Sequence, residues 1–494
     1  MPRTRLVAAF AFGLLVLWGC SQDPKENRTS EAKPAAEPRS IQVDLDKAVE
    51  IAIPKPEEAL KPKGFQTPDG REGWAVQIPG NLPLATPAYA DGLLFVGGGY
   101  GSYAFYAFDA QTGALVWQIQ TGDDGPTAAV VEDGCVAFNT ESCTVFVVEA
   151  KTGKILWQEW LGDPLMSQPA IWKGRLYIAF PAGQRGQKEG PQSSPAPAGS
   201  SHALLCADLR TGKHLWERPI TADVISAPVI ADGKAVFTCF DGTSFCIDAT
   251  DGTVAWQKKN DGTSAPIVAG GRVIFTQKEV RAGKNMEGIA QADVSKGEKS
   301  GETVAAGEAK YLDKDAGGGV GLEKAYLKGL DSNVGFSTAP TAAGLPQANE
   351  HLGVQTVAGG WAYQGSRAAY SRGQVMNAQG RFLNCVAQGG QSAWRAEFSG
   401  KDVADGAQIF SPPSLGLENL YLCSAAGHLV SVSQKDGTAG FLYSTKVPMA
   451  SQPALAGGNL YVGTADGRLV CLKAGADADG WTAWGGNAQH NKAD

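Results

Sequence analysis

Side chains able to do chemistry are present in this sequence, but few are spaced for it. The five histidines, at 202, 214, 351, 428 and 490, show no metal-ligand spacing. The nine cysteines stand at 20, 135, 143, 206, 239, 246, 385, 423 and 471; none are adjacent and no Cys-x-x-Cys-His haem site exists. No Gly-x-Ser-x-Gly turn raises a nucleophilic serine, and no glycine-rich phosphate loop stands out. The carboxylates fall mostly in repeated turns, where a structural role accounts for them. Two features remain. One is Cys20, which ends an apolar run and is a candidate for lipidation. The other is the aromatic and polar segment Trp361-Ala-Tyr363-Gln364-Gly-Ser366-Arg367, which runs into an apolar strand; Gln168 and Gln452 stand at the equivalent of Arg367 in other units. Where such strands line an opening, Trp361, Tyr363, Gln364, Arg367, Gln168 and Gln452 become candidates for a small-ligand site at its mouth, or else are merely solvated.

The elements that position these residues come from an internal repeat. One signature is Ser/Thr-x-Pro, then Gly five residues after the Pro, then an apolar run. Ser167, Ser226, Ser264 and Ser451 start clear copies; Ala85, Thr127, Ser366 and Ser411 start degenerate ones, which makes eight. The second signature is Ala-x-Asp-x-x-Thr-Gly-x-x-x-Trp, complete from Ala107 through Asp109 and Gly113 to Trp117. Gly153 with Trp157, Asp208-Gly212-Trp216 and Asp248-Gly252-Trp256 follow closely, and Gly390 with Trp394 is a weaker copy. The signatures alternate, so each unit reads as four short strands joined by tight turns. A four-stranded sheet cannot bury both apolar faces alone, whereas radial stacking buries them against neighbours. The fold class is therefore all-β: an eight-bladed β-propeller with four-stranded antiparallel blades. The Asp orders the turn, the Gly accepts its backbone, and the Trp covers the seam to the next blade. Trp74, at the same spacing from Gly70, precedes the first inner strand and is favoured over Trp481 to complete the last blade.

The repeat resembles the tryptophan-docking motif of PQQ-like (quinoprotein-type) propellers. With a lipobox in front, it is similar to the outer-membrane β-barrel assembly lipoprotein B family. The resemblance implies a non-catalytic, lipid-anchored scaffold for protein–protein interactions in the bacterial envelope, extending to outer-membrane protein assembly. The alternative is a PQQ-dependent dehydrogenase or small-ligand-binding propeller. The dehydrogenases' typical vicinal Cys-Cys pair is absent, so no enzyme, no PQQ and no metal are expected. Cys206, Cys246 and Cys471 share one strand position and read as small core residues. Cys239 and Cys246 stand diagonally on one hairpin, beyond comfortable disulfide reach, so few disulfides are expected.

The address is read from residues 1–19, a signal peptide with Arg3 and Arg5 before the apolar Leu6–Trp18. Leu17-Trp18-Gly19-Cys20 resembles a bacterial lipobox, and Ser21 after the Cys favours the periplasmic face of the outer membrane. Residues 20–63 read as the lipidated Cys and a flexible tether, of which Ile41–Lys63 is either a strand or a partner-binding arm. Residues 64–484 read as the propeller, with insertions at 183–201 and 310–360, and 485–494 as a surface tail. Leu322, Tyr326 and Leu330 are spaced for one helix face within the longer insertion, which is the chief candidate for partner docking. Glycine is abundant, 63 of 494, which suits many tight turns between short buried strands. The net charge of −7 becomes −9 once Arg3 and Arg5 are removed (−7 − 2), which excludes nucleic acid as a natural partner.

Overall fold

The computed structural model describes residues 38–493 apart from 142–143, 163–166, 183–198, 314–344, 353–367, 388, 404–409 and 450. Eight sheets form the blades of a propeller. Blades 1 to 7 occupy residues 88–120, 130–160, 170–220, 229–259, 267–308, 369–399 and 414–444. Blade 8 takes its three inner strands from 454–473 and its outer strand from Glu72–Gln77, so both ends of the ring share one sheet. Trp74 pairs with Cys471 across that closure.

Strand composition follows from radial packing. The second and third strands of each blade lie between neighbouring blades and are buried on both faces. Cys135–Asn139 is buried throughout and accordingly reads as one apolar run. The outer strand meets a neighbour on one face only. In Leu115–Gln120 only Trp117 is fully buried. The outer strands of blades 1 to 4 also shift register just before their Trp, a bulge that turns the ring toward the seam.

Two boundaries differ from the sequence reading. The tether does not reach residue 63. Arg39–Asp44 pairs in parallel with the outer strand of blade 6, Val49–Glu50 does the same on blade 7, and Lys63–Gln66 pairs antiparallel with Glu72–Ala75 of blade 8. Blades 6, 7 and 8 therefore have five strands, two of them with a parallel pair. The cause is the apolar alternation of this arm: Val43, Leu45, Ile51 and Ile53 are buried against those blades. Asp69 locks it further, accepting the hydroxyls of Thr67 at 2.6 Å and Tyr443 at 2.7 Å.

The segment after blade 8 is not a surface tail either. Trp481, Trp484 and His490 are buried, because the segment enters the ring and pairs with inner strands.

Of the two insertions, Gly199–Ser201 of the first is described. Of the second, a 3-10 turn at Lys310–Leu312 and a helix at Leu345–Leu352 are described. The helix face expected at Leu322, Tyr326 and Leu330 lies outside the described residues. Tyr311, Leu312, Ala348 and Leu352 join the buried cluster of blade 4 with Ile225 and Phe240, so these described parts of the insertion are core.

Candidate functional site

The docking residues meet across the seams. Trp117 lies on Gly153, Trp157 on Gly212, Trp216 on Gly252 and Trp74 on Gly113. Trp256 packs on Gly297 and Trp394 on Gly437. Gly390 faces Val304 instead, since blade 5 carries no Trp on its outer strand. The indole N–H of Trp117 donates to Ala150 O at 2.8 Å, and that of Trp157 to Leu209 O at 2.8 Å. Trp216 departs from this pattern. The equivalent carbonyl, Ala249 O, accepts the Tyr177 hydroxyl at 2.9 Å, and Trp216 Nε1 has no hydrogen-bond partner among the described residues. Asp109 accepts the Thr112 hydroxyl at 2.7 Å and its amide at 2.8 Å; the hydroxyl above all holds the carboxyl below the usual range. Asp208 repeats the arrangement with Thr211. In Asp248 an ion pair with Lys234 at 2.9 Å leads instead. These carboxylates hold their turns together.

The described cysteines, His202 and Glu287 are buried in the packing. Seven described cysteines are free thiols in the core. Burial pushes Cys206 and Cys246 up to about 11 and Cys385 and Cys471 up to about 12, so none is a ready nucleophile. Among the described residues, Ser201, His202 and Asp223 form the nearest approach to a triad. His202 Nδ1 lies 2.9 Å from Ser201 Oγ, and its Nε2 is 4.0 Å from Asp223 Oδ2. The serine, however, donates its hydroxyl hydrogen to Thr221 O at 2.8 Å, so it offers the imidazole a lone pair and no proton. Burial also lowers His202 to about 3. That geometry does not activate a nucleophile. Glu287 is buried between the hydroxyls of Thr263 and Tyr311, both of which donate to it.

At the channel, Trp361, Tyr363, Gln364 and Arg367 lie outside the described residues. Gln168 and Gln452 are buried. The backbone N–H of Gln168 donates to Ser226 O at 2.8 Å, linking blades 3 and 4, while the side-chain Oε1 has no partner among the described residues. Gln452 Nε2 donates to Pro413 O at 2.8 Å, and its Oε1 accepts Gly485 N at 2.9 Å. Gln452 therefore ties the wall of the channel to the segment that follows blade 8.

That segment carries the contacts the sequence reading missed. Each inner strand exposes an unpaired backbone edge toward the axis. Trp481 pairs in both directions with Leu455 of blade 8; Thr482 O accepts Tyr89 N of blade 1 at 2.7 Å. Ala488 O accepts Ile171 N of blade 3 at 2.8 Å, and Gln489 O accepts Ile230 N of blade 4 at 2.9 Å. Asn491 Oδ1 accepts Val268 N of blade 5 at 2.8 Å. His490 directs one ring nitrogen at Trp484 O, 2.6 Å, and the other at Pro169 O, 2.8 Å.

A second feature lies on the outside. Leu115, Val116, Ile155, Leu215 and Val254 stand at or beside the outer-strand bulges of blades 1 to 4 and are 36 to 46 % exposed. On blades 6, 7 and 8 the N-terminal arm covers the corresponding edges. The signal was visible as an apolar residue just ahead of each docking Trp.

Comparisons with known proteins agree with this architecture. The family model described as outer membrane protein assembly factor BamB matches residues 63–186, 196–313 and 349–485. The outer membrane protein assembly factor BamB of Burkholderia pseudomallei (strain K96243) is 26% identical over 246 residues, 42% of this chain and 62% of that protein. The polyvinylalcohol dehydrogenase of Sphingopyxis sp. (strain 113P3) is 27% identical over 164 residues, 30% of this chain and 24% of that enzyme. The match thus spans less than two thirds of either relative. The crystal structure of BamB from Moraxella catarrhalis superposes with a TM-score of 0.52 at 13% identity, covering 83% of this chain and 98% of that one.

Proposed function

The chain belongs to the family of the outer membrane protein assembly factor BamB, and from that premise we propose that it is a non-catalytic scaffold in the cell envelope. In this reading acylated Cys20 holds it to the periplasmic face of the outer membrane, and its outer edge docks envelope proteins of an assembly machine. The carrying observation is the apolar row Leu115, Val116, Ile155, Leu215 and Val254, on consecutive blades that the arm leaves uncovered. A protein interface needs about 800 Å² per partner, and this row is spread over four blade edges rather than one. The long insertion, 310–360, remains a second docking element of the same proposal, apart from Lys310–Leu312 and Leu345–Leu352, which join the core.

The test is a crosslinked pull-down from membranes with Val116→Asp combined with Ile155→Asp. Partner recovery is expected to fall while the β-rich circular dichroism spectrum is kept. Recovery of every partner at wild-type level would refute docking at this edge. For the anchor, fatty-acid labelling should mark the wild type and spare Cys20→Ser.

Dehydrogenase relatives, one of them a quinoprotein alcohol dehydrogenase, make a quinoprotein the competing reading. Against it stand the buried Trp484 and the backbone pairing of its segment with the inner strands, which leave those edges already bonded. Our reading therefore places no quinone in the channel. A stoichiometric absorbance change on quinone titration, with dye reduction, would overturn this view.

A further inference from the structure

We propose that the central channel is a peptide-binding site, and that residues 481–491 are its resident ligand, held in cis. The ligand class is an extended peptide with an aromatic residue at its entry, a second three residues on, and an imidazole six residues after that. Three observations carry this.

First, the segment is bound as a ligand would be, mainly through its backbone, to partners spread over five blades. The acceptors are Trp481 O, Thr482 O, Ala488 O and Gln489 O, and the donors they receive belong to inner strands of blades 8, 1, 3 and 4; blade 5 is met through the Asn491 side chain. Inner strands are sheet edges, and an extended peptide on a sheet edge is a recurring recognition mode, in which the main chain supplies affinity and pockets supply selectivity.

Second, selectivity is built into the wall. Trp484 is fully buried in the same cluster as Ala227 and Ala265, small residues of the Ser-Ala-Pro corners. His490 stands edge-on to Trp484, with ring centroids 4.9 Å apart. Its two nitrogens face two carbonyl oxygens, one in the segment and one in blade 3, so the ring clips the segment's fold to the wall. Gln452 reads the Gly485 amide, and Glu132 accepts Gln489 Nε2 at 3.0 Å.

Third, the segment completes no blade. All eight sheets have their inner, middle and outer strands without it, the eighth through Glu72–Gln77. Its approach is fastened separately. Asp477 accepts the Tyr421 hydroxyl at 2.7 Å and Asn419 Nδ2 at 3.0 Å on blade 7, before the chain turns inward. A cut between Asp479 and Gly480 therefore leaves the fragment from Gly480 onward held by the channel contacts rather than by this fastening.

The experiment uses the full chain with a site-specific protease sequence placed between Asp479 and Gly480, cleaved after folding. A synthetic, fluorescently labelled peptide of residues 481–494 is then added in excess. The expected result is one-to-one exchange into the nicked protein, with an unchanged β-rich spectrum before and after the resident fragment leaves. Gln452→Ala in the protein should speed release about tenfold, as for loss of one buried hydrogen-bond partner. A peptide carrying Trp484→Ala should fail to compete. A fragment that cannot be displaced, a vacated channel that does not rebind, unfolding on release, or equal competition by the Trp484→Ala peptide would each overturn the proposal. All four readouts are independent of the envelope partners, so docking on the outer edge and peptide binding in the channel stand or fall separately.

Discussion

Two glycines of blade 2 allow the docking seam to be weighed against backbone strain. Gly134 and Gly153 have nearly the same left-handed backbone, with φ of +72° and +71°. A Cβ on Gly134 would meet nothing within 4 Å, whereas one on Gly153 would lie 2.8 Å from both Cδ2 and Cε3 of Trp117. Gly134→Ala thus incurs only the left-handed penalty of about 1–2 kcal/mol, partly offset by about 0.4–1 kcal/mol from the stiffer unfolded chain. A net loss near 1 kcal/mol is expected. Gly153→Ala bears the same cost and also pushes the indole off its seat, which adds about 1–3 kcal/mol of overpacking. Its total is about 2–4 kcal/mol. The assay is urea unfolding followed by tryptophan fluorescence, with refolding checked, and unfolding rates are compared if refolding fails. In a Trp117→Ala background the ring is gone while Ile119 Cγ2, 3.2 Å from the added Cβ, stays close, so most of the excess cost of Gly153→Ala over Gly134→Ala should vanish. Equal costs in the wild-type background, or an excess that survives Trp117→Ala undiminished, would refute the seam as the reason for this glycine.

Trp484→Ala should destabilise by about 3–5 kcal/mol, as for other buried Trp→Ala changes, and match Trp256→Ala in urea unfolding. A loss under about 1 kcal/mol by the same area reasoning would place the ring outside the core. Thiol labelling at pH 8 should leave the seven described cysteines unreacted in the native protein and modify them in urea, because burial raises their pKa values. His202 is lowered to about 3 from an ordinary 6.5, so the unfolded chain binds the extra proton between those values. Its contribution is present above pH 6.5 and lost as pH falls toward 3; His202→Gln should flatten the acid limb of stability against pH. Val43→Asp should detach the arm from blade 6 and be read as faster proteolysis near Arg39, with the rest of the propeller intact.

The ring was legible because most blades solve the same problem with the same residues; blades 5 and 7 lack the outer-strand Trp. Asp109, Gly113 and Trp117 recur in kind, and each Trp finds its Gly one blade on. Closure by Trp74 was legible for the same reason: its spacing is that of an outer strand with no inner strands before it. The arm was half legible. Alternation at Ile41, Val43 and Leu45 announces a strand, but a strand's own residues do not say which of eight similar edges it will join, nor that it will lie parallel. The segment from Trp481 to Asn491 defeated periodicity altogether. Its hydrogen bonds are made mostly by the main chain, and it meets a different blade every few residues, so its side chains answer to no period. The residues that betray it are Trp481 and Trp484. Large aromatic rings must leave water somewhere, and neither sits on a seam glycine. In a ring whose seams are already covered, the axis is the enclosed space left to receive them. The same reasoning moves attention from the polar glutamines at the channel to the peptide they hold: Gln452 looked like a group awaiting a ligand, and it bonds an amide of its own chain.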